Sequence, residues 1–130
     1  MLSDSLERLL WVCLAGAAGS GARYLVTLWA GERFGPAFPY GTLIVNLAGC
    51  FLIAVVLELA SRGSLSPQLR LALATGFIGG LTTYSSFNHE TMKLARDGAF
   101  GAALLYFAAT TFGCFAAGFS GLLLGRRLAE

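Results

Sequence analysis

Four long apolar stretches, separated by short polar connectors, dominate the pattern of hydrophobic and polar positions along the chain. They cover residues 9–30, 41–60, 69–95 and 99–125. A helix needs about 20 predominantly apolar residues to cross the hydrocarbon core of a bilayer, and each stretch reaches that length. Pro36, Pro39 and Pro67 lie in the connectors, where proline and its neighbours are expected to end helices. The pattern therefore predicts an all-α membrane protein, a single domain over residues 1–130 with four transmembrane helices in the cell (inner or plasma) membrane.

The composition supports a lipid environment and excludes several classes of function. Hydrophobic residues make up 56% of the chain and charged residues only 12%, about half the charge of an average soluble domain. The net charge of +2, without a basic run interleaved with aromatic residues, argues against a nucleic-acid partner. His89 has no nucleophile or metal-ligand cluster around it in the sequence, so we do not expect an enzyme. Asp4 and Glu7 precede the first stretch, which argues against a cleaved signal peptide.

Lysine and arginine residues are divided almost evenly between the two sides that four spans would create. One side holds Arg8, Arg62, Arg70, Arg126 and Arg127, and the other holds Arg33, Lys93 and Arg96. Such a distribution gives only a weak orientation under the positive-inside rule, so the same chain is able to insert either way round. The chain has no internal repeat, and the inverted symmetry of many transport proteins would require two antiparallel copies. A weakly oriented monomer is the alternative.

Polar residues within the first two spans need partners, because water is absent there. Arg23 lies in the first span and costs about 2.5 to 3.5 kcal/mol at the centre of a membrane helix. It either snorkels towards the interface or forms an anion-attracting vestibule or a pair between subunits. In the second span, Thr42, Asn46, Gly49 and Cys50 share one helical face. The Asn46 amide either joins helices by hydrogen bonds or donates to a passing anion.

The third span contains the segment GFIGGLTTYSSF, residues 76–87. Gly79 and Gly80 each lower helix propensity by about 1 kcal/mol relative to alanine, and the hydroxyl groups that follow compete for backbone carbonyls. We therefore predict that the third helix is broken near Gly79–Thr82, which would place unpaired carbonyls beside unpaired N–H groups. The alternative is an intact helix in which Gly76 and Gly80 form a packing contact.

Aromatic and hydroxyl groups continue on single faces after the predicted break. Tyr84 and Phe87 stand three residues apart, and their electropositive ring edges are suited to line an anion path. The fourth span places Tyr106, Thr110 and Cys114 at spacings of four residues, on one face. These groups either form the wall of a pathway, or are packed rings and hydroxyl groups bonded back to their own helices.

The segments GARY, GTLIVNLAG and GFIGGLTTYSSF occur in this order on successive spans, and with them the chain resembles the CrcB/Fluc family of fluoride channels. The resemblance implies an antiparallel, dual-topology homodimer with two fluoride pores and a structural sodium ion at the dimer centre. It implies passive export of cytoplasmic fluoride down its electrochemical gradient. The likeness covers nearly the whole chain.

The resemblance also implies roles for particular residues. Asn46 matches the pore asparagine of the family, and Tyr84 and Phe87 take the places of two pore phenylalanines, since TTYSSF stands here where the family typically has TTFSTF. The polar track of the family is matched by Ser85, Ser86, Tyr106 and Thr110. Backbone carbonyls of Gly79 and Thr82 match those that hold sodium. Arg23 and Glu90 match characteristic positions, which with Thr42 we interpret as vestibule or structural residues.

Two other membrane functions fit four short spans. A small multidrug-type exporter that couples cation efflux to protons would need a carboxylate buried in the membrane, usually in its first span. The first span here contains none, and Glu58 and Glu90 lie towards the ends of the second and third. A structural subunit of a larger membrane complex is the other alternative, in which the polar residues only join helices.

Overall fold

The computed structural model describes residues 2–128 and 130, and every regular element within that range is a helix. The order is α1 (Leu2–Phe34), α2 (Tyr40–Ser61), α3 (Pro67–Arg70), a π-helical segment (Leu71–Ile78), α4 (Gly79–Leu81), α5 (Tyr84–Arg96) and α6 (Phe100–Leu128). The helices α1, α2 and α6 are each long and apolar enough to cross a membrane. The third predicted span corresponds to the elements from α3 to α5, so the all-helical fold with a divided third span is confirmed.

The break in the third span lies at the hydroxyl residues and not at the glycines. Gly79 is still helical, with φ −61° and ψ −36°, whereas Thr82 (φ −84°, ψ 154°) and Thr83 (φ −153°, ψ 114°) are extended. The Thr83 hydroxyl then accepts a hydrogen bond from the Ser86 N–H at 3.2 Å and caps α5. Threonine is favoured at such a cap because its side chain replaces a missing backbone partner.

Glycines let the third span approach α1 backbone to backbone. A Cβ on Gly80 would overlap the carbonyl of Gly16, and a Cβ on Gly19 would overlap the carbonyl of Phe77. A Cβ on Gly76 would lie 2.7 Å from the Cβ of Ala15. The glycine contact that we considered as an alternative to the break is therefore present together with it. The glycines pack the first half of the span against α1, and the chain unwinds immediately after that contact.

The helices α2 and α6 also meet through small residues. A Cβ on Gly121 would overlap the carbonyl of Phe51, and one on Gly125 would lie 2.8 Å from the Cβ of Glu58. Close packing of this kind is typical of membrane helices, which associate through small side chains. It fixes the polar face of α2 beside the polar face of α6. Large apolar side chains such as Leu14 and Phe112, 69% and 72% exposed, form the outer surface.

Candidate functional site

A groove with a volume of about 560 Å³ lies where the break faces α2 and α6. We call it the central groove. It is lined by Asn46, Gly49, Cys50, Ile53, Ile78, Thr82, Thr83, Tyr84, Phe87, Phe107, Thr110, Thr111, Cys114 and Phe115. The polar stripes predicted separately on α2 and α6 therefore meet at one place, together with the aromatic residues that follow the break.

Asn46 holds the break open. Its Nδ2 donates to the Thr83 carbonyl at 3.1 Å, and its Oδ1 accepts from the Thr83 N–H at 2.8 Å. The side chain is buried, with 7% of the residue exposed. A buried backbone group without a hydrogen-bond partner is energetically costly. The Asn46 side chain on α2 therefore supplies the hydrogen-bond partners that the Thr83 backbone lacks because the helix is interrupted. An amide nitrogen carries a second hydrogen, and this N–H remains for another acceptor in the groove.

Aromatic rings form an edge-to-face series from the mouth of the groove to the connector after α1. The Tyr84 and Phe87 ring centroids are 5.5 Å apart, and those of Phe87 and Tyr106 are 5.3 Å apart, both pairs inclined at 69°. Phe38 continues the series, 5.4 Å from Tyr106 at 80°. Tyr84 is 78% exposed and Phe87 only 4%. Each ring thus turns an electropositive edge towards the face of its neighbour, and Phe87 is the buried member at the groove wall.

Glu90 joins three helices through its carboxylate. The Thr42 hydroxyl on α2 donates to Oε1 at 2.8 Å, and the Tyr106 hydroxyl on α6 donates to Oε2 at 2.6 Å. Charged acceptors form stronger hydrogen bonds than neutral ones, and both donors here are buried. The hydroxyl hydrogens of Thr42 and Tyr106 are therefore committed to Glu90. Tyr106 contacts the groove residue Phe87 but does not line the groove itself.

The hydroxyl groups near the break divide into bonded and unbonded ones. The Thr83 hydroxyl, which caps α5, lies 3.2 Å from that of Ser85 and 3.1 Å from that of Ser86. The Thr82 hydroxyl is bonded back to the Ile78 carbonyl at 3.0 Å. In contrast, the Thr110 hydroxyl in the groove wall is buried and has no hydrogen-bond partner among the described residues. Like the second Asn46 N–H, it is therefore available to a ligand in the groove.

The carbonyl end of the first half of the third span contacts α1. Arg23 Nε donates to the Gly80 carbonyl at 3.1 Å, and the Ser20 hydroxyl lies 3.4 Å from the same oxygen. A cation at this position also offsets the negative end of the helix dipole. The structure thus gives Arg23 a role that the sequence did not indicate. From the neighbouring span, it caps the carbonyl end of the broken helix.

The Gly79 and Thr82 carbonyls lie where the helical hydrogen bonds are interrupted. In a continuous helix, Thr83 N–H would donate to Gly79 and Ser86 N–H would donate to Thr82. These N–H groups instead bond to Asn46 Oδ1 and to the Thr83 hydroxyl. Gly79 is exposed on the surface of the chain. Oxygen atoms in this position are suited to a hard cation.

Both carboxylates considered for a proton-coupled exporter are bonded to neighbouring side chains. Glu58 pairs with Arg62 at 3.2 Å and lies 3.9 Å from Arg126 on α6, and Glu90 accepts the two hydroxyl bonds described above. Glu58 therefore ties the end of α2 to the end of α6. Neither carboxylate lines the central groove.

These features define a polytopic helical membrane protein whose broken span opens into a groove of hydrogen-bond donors and ring edges. A family model described as CrcB-like protein, Camphor Resistance (CrcB), matches residues 10–122, and the chain belongs to this family. It is accordingly a multi-pass protein of the cell membrane, as predicted.

Similar proteins cover nearly the full length of the chain. A protein from Anaeromyxobacter dehalogenans named fluoride-specific ion channel FluC is 53% identical over 125 residues, which are 95% of this chain and 99% of that protein. Proteins with the same name are 48% identical in Sorangium cellulosum, over 95% of this chain and 98% of theirs, and 44% identical in Geobacter metallireducens, over 90% and 95%. These names describe an ion channel and not an enzyme.

The sequence interpretation overlooked Thr83, which both bonds Asn46 and caps α5. Threonine is among the residues preferred at a helix N-cap, so this signal was available. The cluster of Thr42, Glu90 and Tyr106 had no such signal, because its members lie on three different helices and meet only in the folded chain.

Proposed function

We propose that this protein is a fluoride-selective passive channel that exports cytoplasmic fluoride down its electrochemical gradient. The observation that carries the proposal is the 53% identity, over nearly the full length of both chains, to a protein named fluoride-specific ion channel FluC. The central groove supports it, because its donors come from the residues that the sequence singled out. Asn46, Tyr84, Phe87 and Thr110 all line this groove.

Fluoride is small and tightly hydrated, so a pathway must replace its water with donors that still release it. The second Asn46 N–H and the free Thr110 hydroxyl are two such donors, and the ring edges of Tyr84 and Phe87 are weaker ones. Neutral hydrogen fluoride enters cells from acid surroundings and ionises in the near-neutral cytoplasm. A passive pathway for the trapped anion is then sufficient for export.

The other residues of the predicted track have supporting roles in this proposal. The hydroxyl groups of Ser85 and Ser86 contact the Thr83 hydroxyl that caps α5, and they help to hold this cap in place. Tyr106 orients Phe87 by edge contact while its hydroxyl is held by Glu90. Glu90, Thr42 and Arg23 then act as structural residues that fix α5 and the break.

A second, antiparallel copy of the chain would complete the pathway. The groove lies open on the surface of one chain, and apolar side chains at its mouth are exposed, Tyr84 by 78% and Phe115 by 77%. Four helices are too few to enclose a polar path alone, whereas two copies across a two-fold axis give two equivalent grooves. We therefore propose a dual-topology homodimer with two pores.

The same arrangement provides a candidate site for a structural sodium ion. Gly79 and Thr82 carbonyls lie at the helix interruption, and two copies would bring four such oxygens together. Clustered carbonyls repel one another unless a hard cation lies between them. A sodium ion held there would supply a fixed positive charge that favours anions in the flanking pores.

The proposed function is tested by anion efflux from liposomes that contain the purified protein. With a potassium ionophore to balance charge, we expect fluoride to leave at least about 100-fold faster than chloride, which corresponds to a difference of about 2.7 kcal/mol between the two barriers. Electrodes selective for each anion measure the rates, and protein-free liposomes are the control. Equal rates for the two anions, or efflux that requires a proton gradient, would refute the channel.

The sodium proposal predicts that the dimer depends on sodium and not on ionic strength. We expect exchange of sodium for N-methylglucamine to lower the dimer fraction, measured by size-exclusion chromatography with light scattering, and readdition of sodium to restore it. Thr82→Ser should behave as the wild type, because it keeps both the backbone carbonyl and the hydroxyl bonded to Ile78. A dimer fraction unchanged by rigorous exchange contradicts the proposal.

A further inference from the structure

Two cysteines from different helices meet in the wall of the central groove. Cys50 lies on α2 and Cys114 on α6, and both line the groove. Both also line a second, adjoining groove together with Ile53 and Phe115, and both are free thiols. The remaining cysteine, Cys13 on α1, is exposed and belongs to neither helix. The pair is therefore distinct from an isolated buried thiol.

The packing of α2 on α6 fixes the pair. Gly118 lies one helical turn after Cys114, and a Cβ at Gly118 would be 3.7 Å from the carbonyl of Cys50. The two helices are thus in van der Waals contact one turn from Cys114, and both cysteines face the same groove. Thr110, whose hydroxyl has no partner among the described residues, lies one turn before Cys114 in the same wall.

Two sulfur ligands without a third suit a particular class of metal. No group of three or more histidine, cysteine, aspartate or glutamate residues is positioned to hold a metal ion in the described part of the chain, which argues against a tetrahedral zinc site. Thiolates select soft metal ions. Soft ions with filled d shells bind two sulfur ligands in linear, two-coordinate geometry. A divalent ion with two thiolates is electrically neutral, which favours it where charge is costly to bury.

We propose that Cys50 and Cys114 form a two-thiolate site for a soft divalent metal ion such as Hg²⁺, and that an ion bound there obstructs the central groove. Both S–H bonds break, two sulfur–metal bonds form, two protons are released, and no oxidation state changes. The obstruction rests on the proposed function of the groove as an ion pathway. The metal site itself does not.

The binding experiment uses reduced, purified Cys13→Ser protein as the reference, because the exposed Cys13 thiol would otherwise also react. Cys50→Ser and Cys114→Ser are each added to this background. Mercuric chloride is titrated in, the sulfur-to-mercury absorption in the ultraviolet is followed, and bound mercury is measured after gel filtration with excess monothiol. We expect one retained ion per chain in the reference and at least about tenfold less in either added variant, because a single thiolate loses the chelate.

The outcomes separate the site from the function. If either added variant retains mercury as the reference does, the two-thiolate site is refuted, provided that circular dichroism shows both proteins folded. In liposomes, mercury should stop fluoride efflux of the reference, and each variant is compared with its own metal-free rate. Retained mercury with undiminished efflux refutes the obstruction. A reference protein that conducts no fluoride before mercury is added refutes the proposed function, and the binding result still decides the site.

Discussion

Asn46→Asp is expected to lower fluoride efflux by about 100-fold or more. The carboxylate keeps an acceptor for the Thr83 N–H, but its second oxygen faces the Thr83 carbonyl, to which the Asn46 amide now donates at 3.1 Å. It also puts a negative charge where the anion would pass. An uncompensated buried charge costs about 3 to 5 kcal/mol, and 2.7 kcal/mol in the barrier already corresponds to about 100-fold in rate.

The measurement is initial fluoride efflux from liposomes at equal amounts of reconstituted protein. Asn88→Asp is the matched control, because Asn88 is exposed on α5 and undergoes the same chemical change away from the break. We expect Asn88→Asp to conduct as the wild type does. Circular dichroism separates slow conduction from loss of fold. A folded Asn46→Asp protein with wild-type efflux would remove Asn46 from the pathway.

Phe87→Ile is expected to lower fluoride efflux by about 30-fold or more. Phe87 is a buried ring that lines the groove, 4% exposed and edge-to-face with both Tyr84 and Tyr106. Isoleucine is apolar and fills much of the space, but it has no ring edge to present to an anion. We take the attraction of an anion to a ring edge to be of the same order as that of a desolvated cation to a ring face, about 2 kcal/mol, and its loss raises the barrier enough for a 30-fold effect.

Tyr84→Phe provides the comparison for the aromatic path. It removes the hydroxyl but keeps the ring and its contact with Phe87, 5.5 Å between centroids. We therefore expect efflux to remain within about twofold of the wild type, since a difference below about 0.4 kcal/mol changes the rate by no more than that. Normal conduction by a folded Phe87→Ile protein, or loss of conduction in Tyr84→Phe, would show that ring edges do not line the pathway.

The central groove also explains why polar residues recur in such an apolar chain. Several of the polar groups near the break do one of two things: they satisfy a backbone group that the unwound turn releases, or they remain free in the groove wall. Asn46 does both, because one N–H of its amide is bonded to Thr83 and one remains. Thr110 belongs to the second group. The cost of breaking a helix in lipid is thereby offset by the same side chains that make the groove suitable for an anion.

The sequence by itself determined the membrane class, the helical fold and the approximate position of the break. Runs of about 20 apolar residues and the clustered glycines and hydroxyl groups of residues 76–87 act locally, through transfer into lipid and through backbone preference. The polar stripes on α2 and α6 were also readable, because helical periodicity places residues four apart on one face.

Only the tertiary structure decided which of these groups meet. The chain stays helical through Gly79 and Gly80, where Gly80 packs against the backbone of α1, and it becomes extended at Thr82 and Thr83. The bond from Asn46 to Thr83 joins residues 37 apart in the chain, and Tyr106 is turned from the groove to Glu90. Such pairings depend on how helices rotate and approach, and the periodicity within one helix carries no information about the neighbour that its polar face will meet.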